Sequence, residues 1–475
     1  MPSDPPKPPD HMTPEEFRRN GHAMIDWVVN YLETADEFPV FSQVEPGEIS
    51  ALLPDNAPDD GEPFESLFAD LNDVVMPGIT HWQSPNWFAY FPANTSPPSI
   101  LAEIASAGLG VQGMLWSTSP AATEIESKVL DWLVDMMALP QSWKSTRSGG
   151  GVIQMSASDS THAVLVVARH KNKDRGHAEN MVVYASTQAH SSIVKGCVVA
   201  GIGHVREIDV DTEWAMRPDA LRNAIAADLD AGLLPVAVVS AIGTTGTTAV
   251  DPVAQISDIA EEFGLWHHVD AAYAGAAMVC EEFRHHINGI DRVDSYTFNP
   301  HKWMMVNFDC NILWVADRAP LIETLSILPP YLRNKATESG AVIDYRDWHV
   351  PLGRRFRALK LWWVIRSYGV SGIQAMVRSH VGLAELLADR IEEDDRFDLF
   401  APHPFGLVCF THRGGNDATS ALAEALNNSG KVAVTPSILD GTTFIRVVVG
   451  QTRTTSHHVD ALWNLIDDLA PTVPR

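Results

Sequence analysis

Lys302 closes the segment Asp294-Ser295-Tyr296-Thr297-Phe298-Asn299-Pro300-His301-Lys302-Trp303, among aromatic and apolar neighbours. Desolvation in such surroundings disfavours an ammonium, and the neutral amine it leaves can form a Schiff base with a carbonyl. The alternative is an ordinary surface lysine after a turn. Upstream, Leu265-Trp266-His267-His268-Val269-Asp270-Ala271-Ala272-Tyr273-Ala274-Gly275 reads as a buried strand ending in an acid and then small residues. An acid at the carboxyl end of an α/β strand stands where such sheets bind ligands, and paired with a pyridine nitrogen it would keep that nitrogen protonated. An N-capping Asp is the plainer reading. Further upstream, Gly149-Gly150-Gly151 leads through Val152-Ile153-Gln154 to Ser156-Ala157-Ser158, just before a helical stretch. Free amides at a helix start, with hydroxyls beside them, bind phosphate, although a plain loop with a Ser cap fits equally. The run is neither a Walker loop nor a dinucleotide fingerprint.

Positioning these groups takes a sheet. Apolar runs at 182–185, 236–242, 266–269 and 311–315 alternate with helical stretches such as 160–170 and 252–263, the pattern of an α/β domain with a largely parallel sheet. The 32 residues from Asp270 to Lys302 suffice for a helical crossover and a return strand, so both can end on one sheet edge. Thr13-Pro14-Glu15-Glu16 reads as a capping box, and Phe17, Met24, Ile25, Val28 and Leu32 follow at helical spacing. Ser119-Pro120 opens another helix, whose Ile125, Val129, Trp132, Leu133 and Met136 share a face. After Leu361 come long helices, 358–366 and 371–393, then strands 407–410 and 444–449 and a closing helix near 458–469. The expected division is a flexible Pro-rich tail (1–12), a dependent N-terminal helical segment (13–96), a large α/β domain (97–361) and a small C-terminal α+β domain (362–475). There are no internal repeats.

Composition narrows the functional classes. The chain has 475 residues, 45% of them hydrophobic, and a formal net charge of -26. So acidic a protein is a poor ligand for nucleic acid or an anionic membrane. The near-apolar run 232–243 is too short to span a bilayer, and residues 1–10 lack the basic start and apolar stretch of an export signal. Cys197, Cys280, Cys310 and Cys409 are scattered, as in reduced thiols of a cytosolic protein. The pairs His267-His268 and His285-His286 hint at a metal hydrolase. Adjacent histidines diverge on a strand, however, and no His-x-x-x-His spacing accompanies them, so no metal is expected.

A phosphate cradle, an acid and a Schiff-base lysine follow one another in the order expected of a pyridoxal-phosphate fold. From His81 to about Arg366 the chain closely resembles the aromatic-L-amino-acid decarboxylases. The resemblance is carried by His81-Trp82-Gln83-Ser84-Pro85-Asn86, Phe88-Ala89-Tyr90-Phe91-Pro92, Gln188-Ala189-His190-Ser191-Ser192, His268 to Gly275 and Asn299 to Trp303. It implies the aspartate-aminotransferase-like arrangement (fold type I) and pyridoxal 5'-phosphate as cofactor. It implies further that Lys302 holds the cofactor covalently and that Asp270 pairs with the pyridinium nitrogen. His190 would stack on one ring face and Ala272 pack on the other. Ala157, Ser158, Ser295, Asn299 and His301 would hold or surround the phosphate, and Thr244 would place a hydroxyl near the cofactor. Members of the family are homodimers whose N-terminal segments wrap the partner and whose active sites lie at the subunit interface.

The same resemblance assigns the proton returned to Cα to Tyr331, on the stretch 328–342, and places Trp82, Tyr90, Phe91, Pro92, Ala93, Met114, Leu115 and Gly353 around the substrate ring. Ala93 and Met114 replace a hydroxyl and an aromatic of the DOPA-selective pattern, which leaves tryptophan, phenylalanine, tyrosine and DOPA open. Two other outcomes are weighed. Relatives that make aldehydes with oxygen tend to replace the loop Tyr with Phe or the stacking His with Asn, and this chain keeps both residues. A catalytically silent scaffold would be expected to lack Lys302 or Asp270.

Overall fold

A computed structural model describes residues 11–326 and 342–470. Among these, seven strands build the central sheet: β1 (Gly150–Gln154), β2 (Met181–Ser186), β3 (His204–Ile208), β4 (Leu234–Ala241), β5 (Trp266–Asp270), β6 (Ser295–Phe298) and β7 (Asn311–Val315). Their spatial order is β1-β7-β6-β5-β4-β2-β3. β7 runs antiparallel to β1 and β6, while the pairs β6-β5, β5-β4, β4-β2 and β2-β3 are parallel. Every strand but β7 therefore ends on the same edge.

Both faces of the sheet are covered, which is why its strands read as apolar runs rather than as alternations. On one face Val152, Val183, Val239, Trp266 and Leu313 pack against Ala163, Val164 and Val167 of the helix Ala157–Lys171. On the other, Val182, Tyr184 and Val238 meet Leu221 and Ile225 of the helix Pro218–Asp230 and Ile256 and Ile259 of the helix Val253–Phe263. β3 was not foreseen. It is an edge strand, and His204, Val205 and Arg206 are only half-buried, so it carries no apolar run.

The glycine run lies within the sheet, apart from the helix start at Ser156 to Ser158 where the sequence places the phosphate. Gly150 and Gly151 begin β1 and are buried. A Cβ on Gly150 would lie 2.6 Å from the Trp348 ring, and one on Gly151 would lie 2.7 Å from Trp314 Nε1. Close packing under two tryptophans, not ligand approach, requires the glycines. The crossover from β5 to β6 is also not a regular α-helix. It consists of 3-10 turns at Ala274–Val279, Glu281–Ile287 and Ile290–Arg292, and at Gly275 it runs so near β6 that a Cβ would meet Phe298 Cβ at 2.5 Å.

The capping box of the first helix, Pro14–Glu33, forms as expected: the Glu16 amide donates to Thr13 Oγ1 at 3.2 Å and the Thr13 amide donates to Glu16 Oε2 at 2.8 Å. Phe17 and Val29 on that helix remain 71% and 46% exposed. The two helices expected after Leu361 form one run, Ala358–Glu393, interrupted where Gly369 adopts φ 65° and ψ 173°. A second sheet, antiparallel in the order β10-β11-β9-β8, is built from β8 (Phe397–Leu399), β9 (Leu407–His412), β10 (Thr435–Leu439) and β11 (Thr442–Val448). The helices Asn416–Asn428 and Ser456–Leu469 cover it.

Candidate active site

The carboxyl ends of β1, β2, β4, β5 and β6 surround a cavity of about 210 Å³. From the β1 end, Ser156 caps the helix Ala157–Lys171 in a capping box with Asp159, and Ser156, Ala157 and Ser158 line the cavity. First-turn amides have no intrahelical acceptor and carry the positive end of the helix dipole, so this wall suits a phosphate. After β2, His190 lines the cavity and accepts the Ser192 amide at Nδ1 at 3.1 Å, which puts its proton on Nε2. Desolvation and the charge of Lys302 keep this imidazole below its ordinary range, against the pull of Asp270.

After β4, the Gly243 and Thr244 amides both donate to the Ala249 carbonyl at 3.0 Å, and the Ala249 amide donates to Thr244 Oγ1 at 3.0 Å. This tight turn delivers Gly243, Thr244 and Thr245 to the cavity. Gly243 is required there, since φ is +83° and a Cβ would lie 2.7 Å from Ala274 Cβ.

Asp270 ends β5, and its Oδ1 accepts the Ala272 amide at 3.0 Å. The Asn299 amide donates to the Ala272 carbonyl at 3.0 Å, stitching the β5 exit to the β6 exit. Lys302 lies on the short helix Pro300–Trp303 just beyond. Its Nζ is 5.1 Å from the centroid of Phe91, and burial together with Arg446 lowers its pKa against the opposing effect of Asp270. Asn311 Nδ2 donates to Asn299 Oδ1 at 2.8 Å, and Ser160 Oγ donates to Asn311 Oδ1 at 2.5 Å, so the helix start and the lysine turn share one buried network. His301 accepts the Cys310 amide at Nδ1, and burial holds its pKa at about 3.

The structure thus gathers Ala157, Ser158, His190, Thr244, Asp270, Ala272, Asn299, His301 and Lys302 around one cavity. Ser295 is a correction, because it begins β6 at the far end from the cavity. Its hydroxyl accepts the Trp266 indole N–H at 2.8 Å and lies 2.9 Å from His268 Nδ1. Of the eight residues expected around a substrate ring, Phe91 alone lines this cavity within the single chain. Trp82 stacks on Tyr90 and packs tilted against Trp87, Pro92 packs at Gly450, and the Ala93 carbonyl accepts from Gln83. The Met114 carbonyl accepts the Arg346 amide, the Leu115 amide donates to Thr118, and Gly353 lies beside Gln112. Tyr331 falls outside the described residues.

Sequence reasoning missed Tyr273, Thr245, Phe308 and Arg446. Tyr273 lies flat between Phe91 and Trp303, at 4.0 and 4.7 Å between centroids, and backs the lysine turn. Arg446 is a buried charge in the apolar run of β11, and that single charge was the available signal. A larger cleft of about 420 Å³ lies elsewhere, lined by Glu213, Asp251, His285 and His286. It holds no lysine, and Asp251 is already occupied by the Met216 and Ala241 amides. Among the described residues no cluster of His, Cys, Asp or Glu is arranged to hold a metal ion. His267 turns to Ser240 and Ser257 and His268 to Ser295, so the adjacent histidines do diverge.

The lining fits a flat phosphorylated heterocycle: amides at one end, a carboxylate at another, a small residue beneath and an amine beside it. Comparison with known proteins agrees. The pyridoxal-dependent decarboxylase conserved domain matches residues 46–413. The chain is 44% identical over 476 residues to tryptophan decarboxylase 2 of Oryza sativa subsp. japonica, covering 97% of this chain and 96% of that protein. It is 43% identical over 473 residues to phenylacetaldehyde synthase of Arabidopsis thaliana, with coverage of 97% and 96%. The crystal structure of Oryza sativa TDC with PLP and tryptamine superposes with a TM-score of 0.96 at 38% identity, covering 98% of this chain and 99% of that one.

Proposed function

The chain belongs to the pyridoxal-dependent decarboxylases, in their aromatic-L-amino-acid branch, and from that premise we propose that it converts tryptophan, tyrosine, phenylalanine or DOPA to the arylalkylamine and carbon dioxide. The observation that carries this reading is the placing of Lys302 and Asp270 at the exits of adjacent parallel strands, facing the helix start at Ala157. When bound, pyridoxal phosphate supplies an electron sink for the pair left on Cα as the carboxylate departs.

The protein supplies position and protons. The amides of Ala157 and Ser158 and the Ser158 hydroxyl would hold the phosphate, with Asn299, His301 and the Thr244 hydroxyl lining the same cavity. Asp270 would keep a proton on the ring nitrogen, and His190 and Ala272 would flank the ring. Burial lowers the pKa of Lys302 and so favours the neutral amine that covalent attachment needs. Tyr331 returns the proton to Cα.

A homodimer completes the site on this reading. Leu101, Ile104 and Leu109 on the helix Pro97–Leu109 are about half exposed, as is Tyr90. A second copy that covers them would place the active sites at the subunit interface. None of the described helices is long and apolar enough to cross a membrane, and a cytoplasmic location fits the four buried free cysteines.

The second reading, an oxygen-dependent aldehyde synthase, has a specific basis in the 43% identity to phenylacetaldehyde synthase. Retention of His190 and Tyr331 favours decarboxylation without oxygen. Purified protein given each aromatic amino acid should release amine and carbon dioxide in equal amounts with no oxygen consumed. Aldehyde, ammonia and peroxide in place of the amine, with oxygen consumed, would reverse the assignment. Borohydride should fix the cofactor to the peptide carrying Lys302, and Lys302→Ala should lose that label and at least about a thousandfold of kcat. A Lys302→Ala variant that still takes the label would remove Lys302 from its role.

A further inference from the structure

His268 and Asp270 are two residues apart on β5 and therefore share a face of that strand, the face covered by the helix Ala157–Lys171. His268 is fully buried. Its Nδ1 lies 2.9 Å from Ser295 Oγ, which also accepts the indole N–H of Trp266 at 2.8 Å. In the arrangement where the Ser295 hydroxyl, having accepted the indole N–H, turns its own proton to Nδ1, the imidazole proton sits on Nε2. The chain Trp266, Ser295, His268 then runs in one direction and ends in an N–H.

That Nε2–H is buried and meets no acceptor among the described residues. Buried donors are rarely left unpaired, and a polar gap too wide for direct contact is commonly closed by a water. The neighbouring acceptor along the strand is Asp270, whose Oδ1 is occupied by the Ala272 amide while Oδ2 has no protein donor among the described residues. Asp270 is close enough to act on the charge of His268, and burial nonetheless keeps the imidazole neutral. A neutral donor with a fixed tautomer is suited to orienting a carboxylate without competing for its charge.

We propose that His268 is a positioning residue for Asp270: through one bridging water, its Nε2–H fixes the second carboxylate oxygen and sets the plane of the group. This rests on the reading of the cavity as a pyridoxal-phosphate site. It also gives Ser295 a function beneath the acid, in place of the phosphate contact expected of it.

The test compares His268→Leu, which removes the donor, with His268→Gln, which restores an N–H near Nε2. For His268→Leu the dissociation constant for pyridoxal phosphate should rise about tenfold and kcat should fall about tenfold, with KM for the amino acid unchanged. The pH dependence of the bound cofactor's visible band should shift, while the melting temperature of the cofactor-free protein stays within a few degrees of the parent. His268→Gln should recover most of both losses. Ser295→Ala, which keeps the ring and frees its tautomer, should move cofactor affinity the same way by about threefold. Parent-like affinity and turnover in His268→Leu would overturn the inference, as would equal losses in the Leu and Gln variants that track a fallen melting temperature. Should His268→Leu fail to fold, an unchanged affinity in Ser295→Ala overturns it instead. Failure of the parent protein to bind pyridoxal phosphate would refute the site reading itself, whereas these outcomes refute only the positioning role.

Discussion

Arg446 and Lys302 bear on the same ring: the guanidinium carbon of Arg446 is 5.4 Å and Nζ of Lys302 is 5.1 Å from the centroid of Phe91. Arg446 Nε donates to the Gly246 carbonyl at 2.9 Å, and its Nη2 is buried without a hydrogen-bond partner among the described residues. Its positive charge therefore acts on Lys302 with little local compensation, adding to burial in disfavouring the ammonium. Arg446→Gln should raise the pKa of Lys302. The rate at which cofactor-free protein captures pyridoxal phosphate, followed by absorbance against pH, should then need a more alkaline solution to reach its plateau. An unmoved or acid-shifted profile would show that Arg446 does not tune the amine.

Asp270→Asn replaces an acceptor-only carboxylate with an amide that cannot hold a ring nitrogen protonated by charge. Loss of one preorganised electrostatic partner is worth about 10²–10³ in kcat. We expect a fall of that order together with weaker cofactor retention on gel filtration. Near-parent kcat in Asp270→Asn would sever the acid from the chemistry.

Gly151→Ala separates packing from phosphate binding. The new Cβ would stand 2.7 Å from Trp314 Nε1 and 2.8 Å from Trp314 Cδ1, in a buried strand with little room to shift. Overpacking of this kind costs about 1–3 kcal/mol, readable as a lower urea midpoint. Cofactor affinity of the folded protein should be unchanged. A selective loss of affinity with full stability would give the glycine run a part in phosphate binding and contradict a purely packing role.

Acid should destabilise the fold well before its carboxylates titrate generally. Burial holds His267, His301 and His349 at about 3 and His268 and His380 at about 4. The unfolded chain takes up these protons near pH 6.5 and the folded chain does not, so the stabilisation is complete above that pH and declines as pH falls toward 4. Asp251, pushed up to about 6 by burial, acts the other way between about 6 and the ordinary carboxyl range, but it is one group against several. At saturating cofactor the urea midpoint should drop from pH 7.5 to 6 and again to 5. A flat or rising midpoint would contradict this balance. His380 offers a local reporter, because the Trp303 indole N–H donates to its Nδ1 at 2.9 Å, a bond that requires that nitrogen to be unprotonated.

The core of the site was legible because chemistry and strand pattern coincide there. Asp270 ends an apolar run, Lys302 follows the next, and parallel pairing of β5 with β6 does bring both ends to one edge. Ser295 misled because it belongs to the same matching segment as Lys302. A four-residue strand separates the two, and a strand has two ends. The role of the glycines was not legible, because the crowding that requires them comes from Trp314 and Trp348, far away in sequence.

By itself the sequence determined which groups can react and the order in which the chain delivers them: a helix cap at Ser156, an imidazole at His190, an acid at Asp270, an amine at Lys302. These follow from local residue type, from apolar runs that must be buried, and from residue-by-residue resemblance. Only the tertiary structure decided which way each side chain faces and what stands behind it. The sandwich of Tyr273 between Phe91 and Trp303, the approach of Arg446 from the second sheet, and the line from Trp266 through Ser295 to His268 all join residues distant in the chain. Such contacts are set by how sheets and helices pack, and packing between remote segments leaves no period or motif in any one of them.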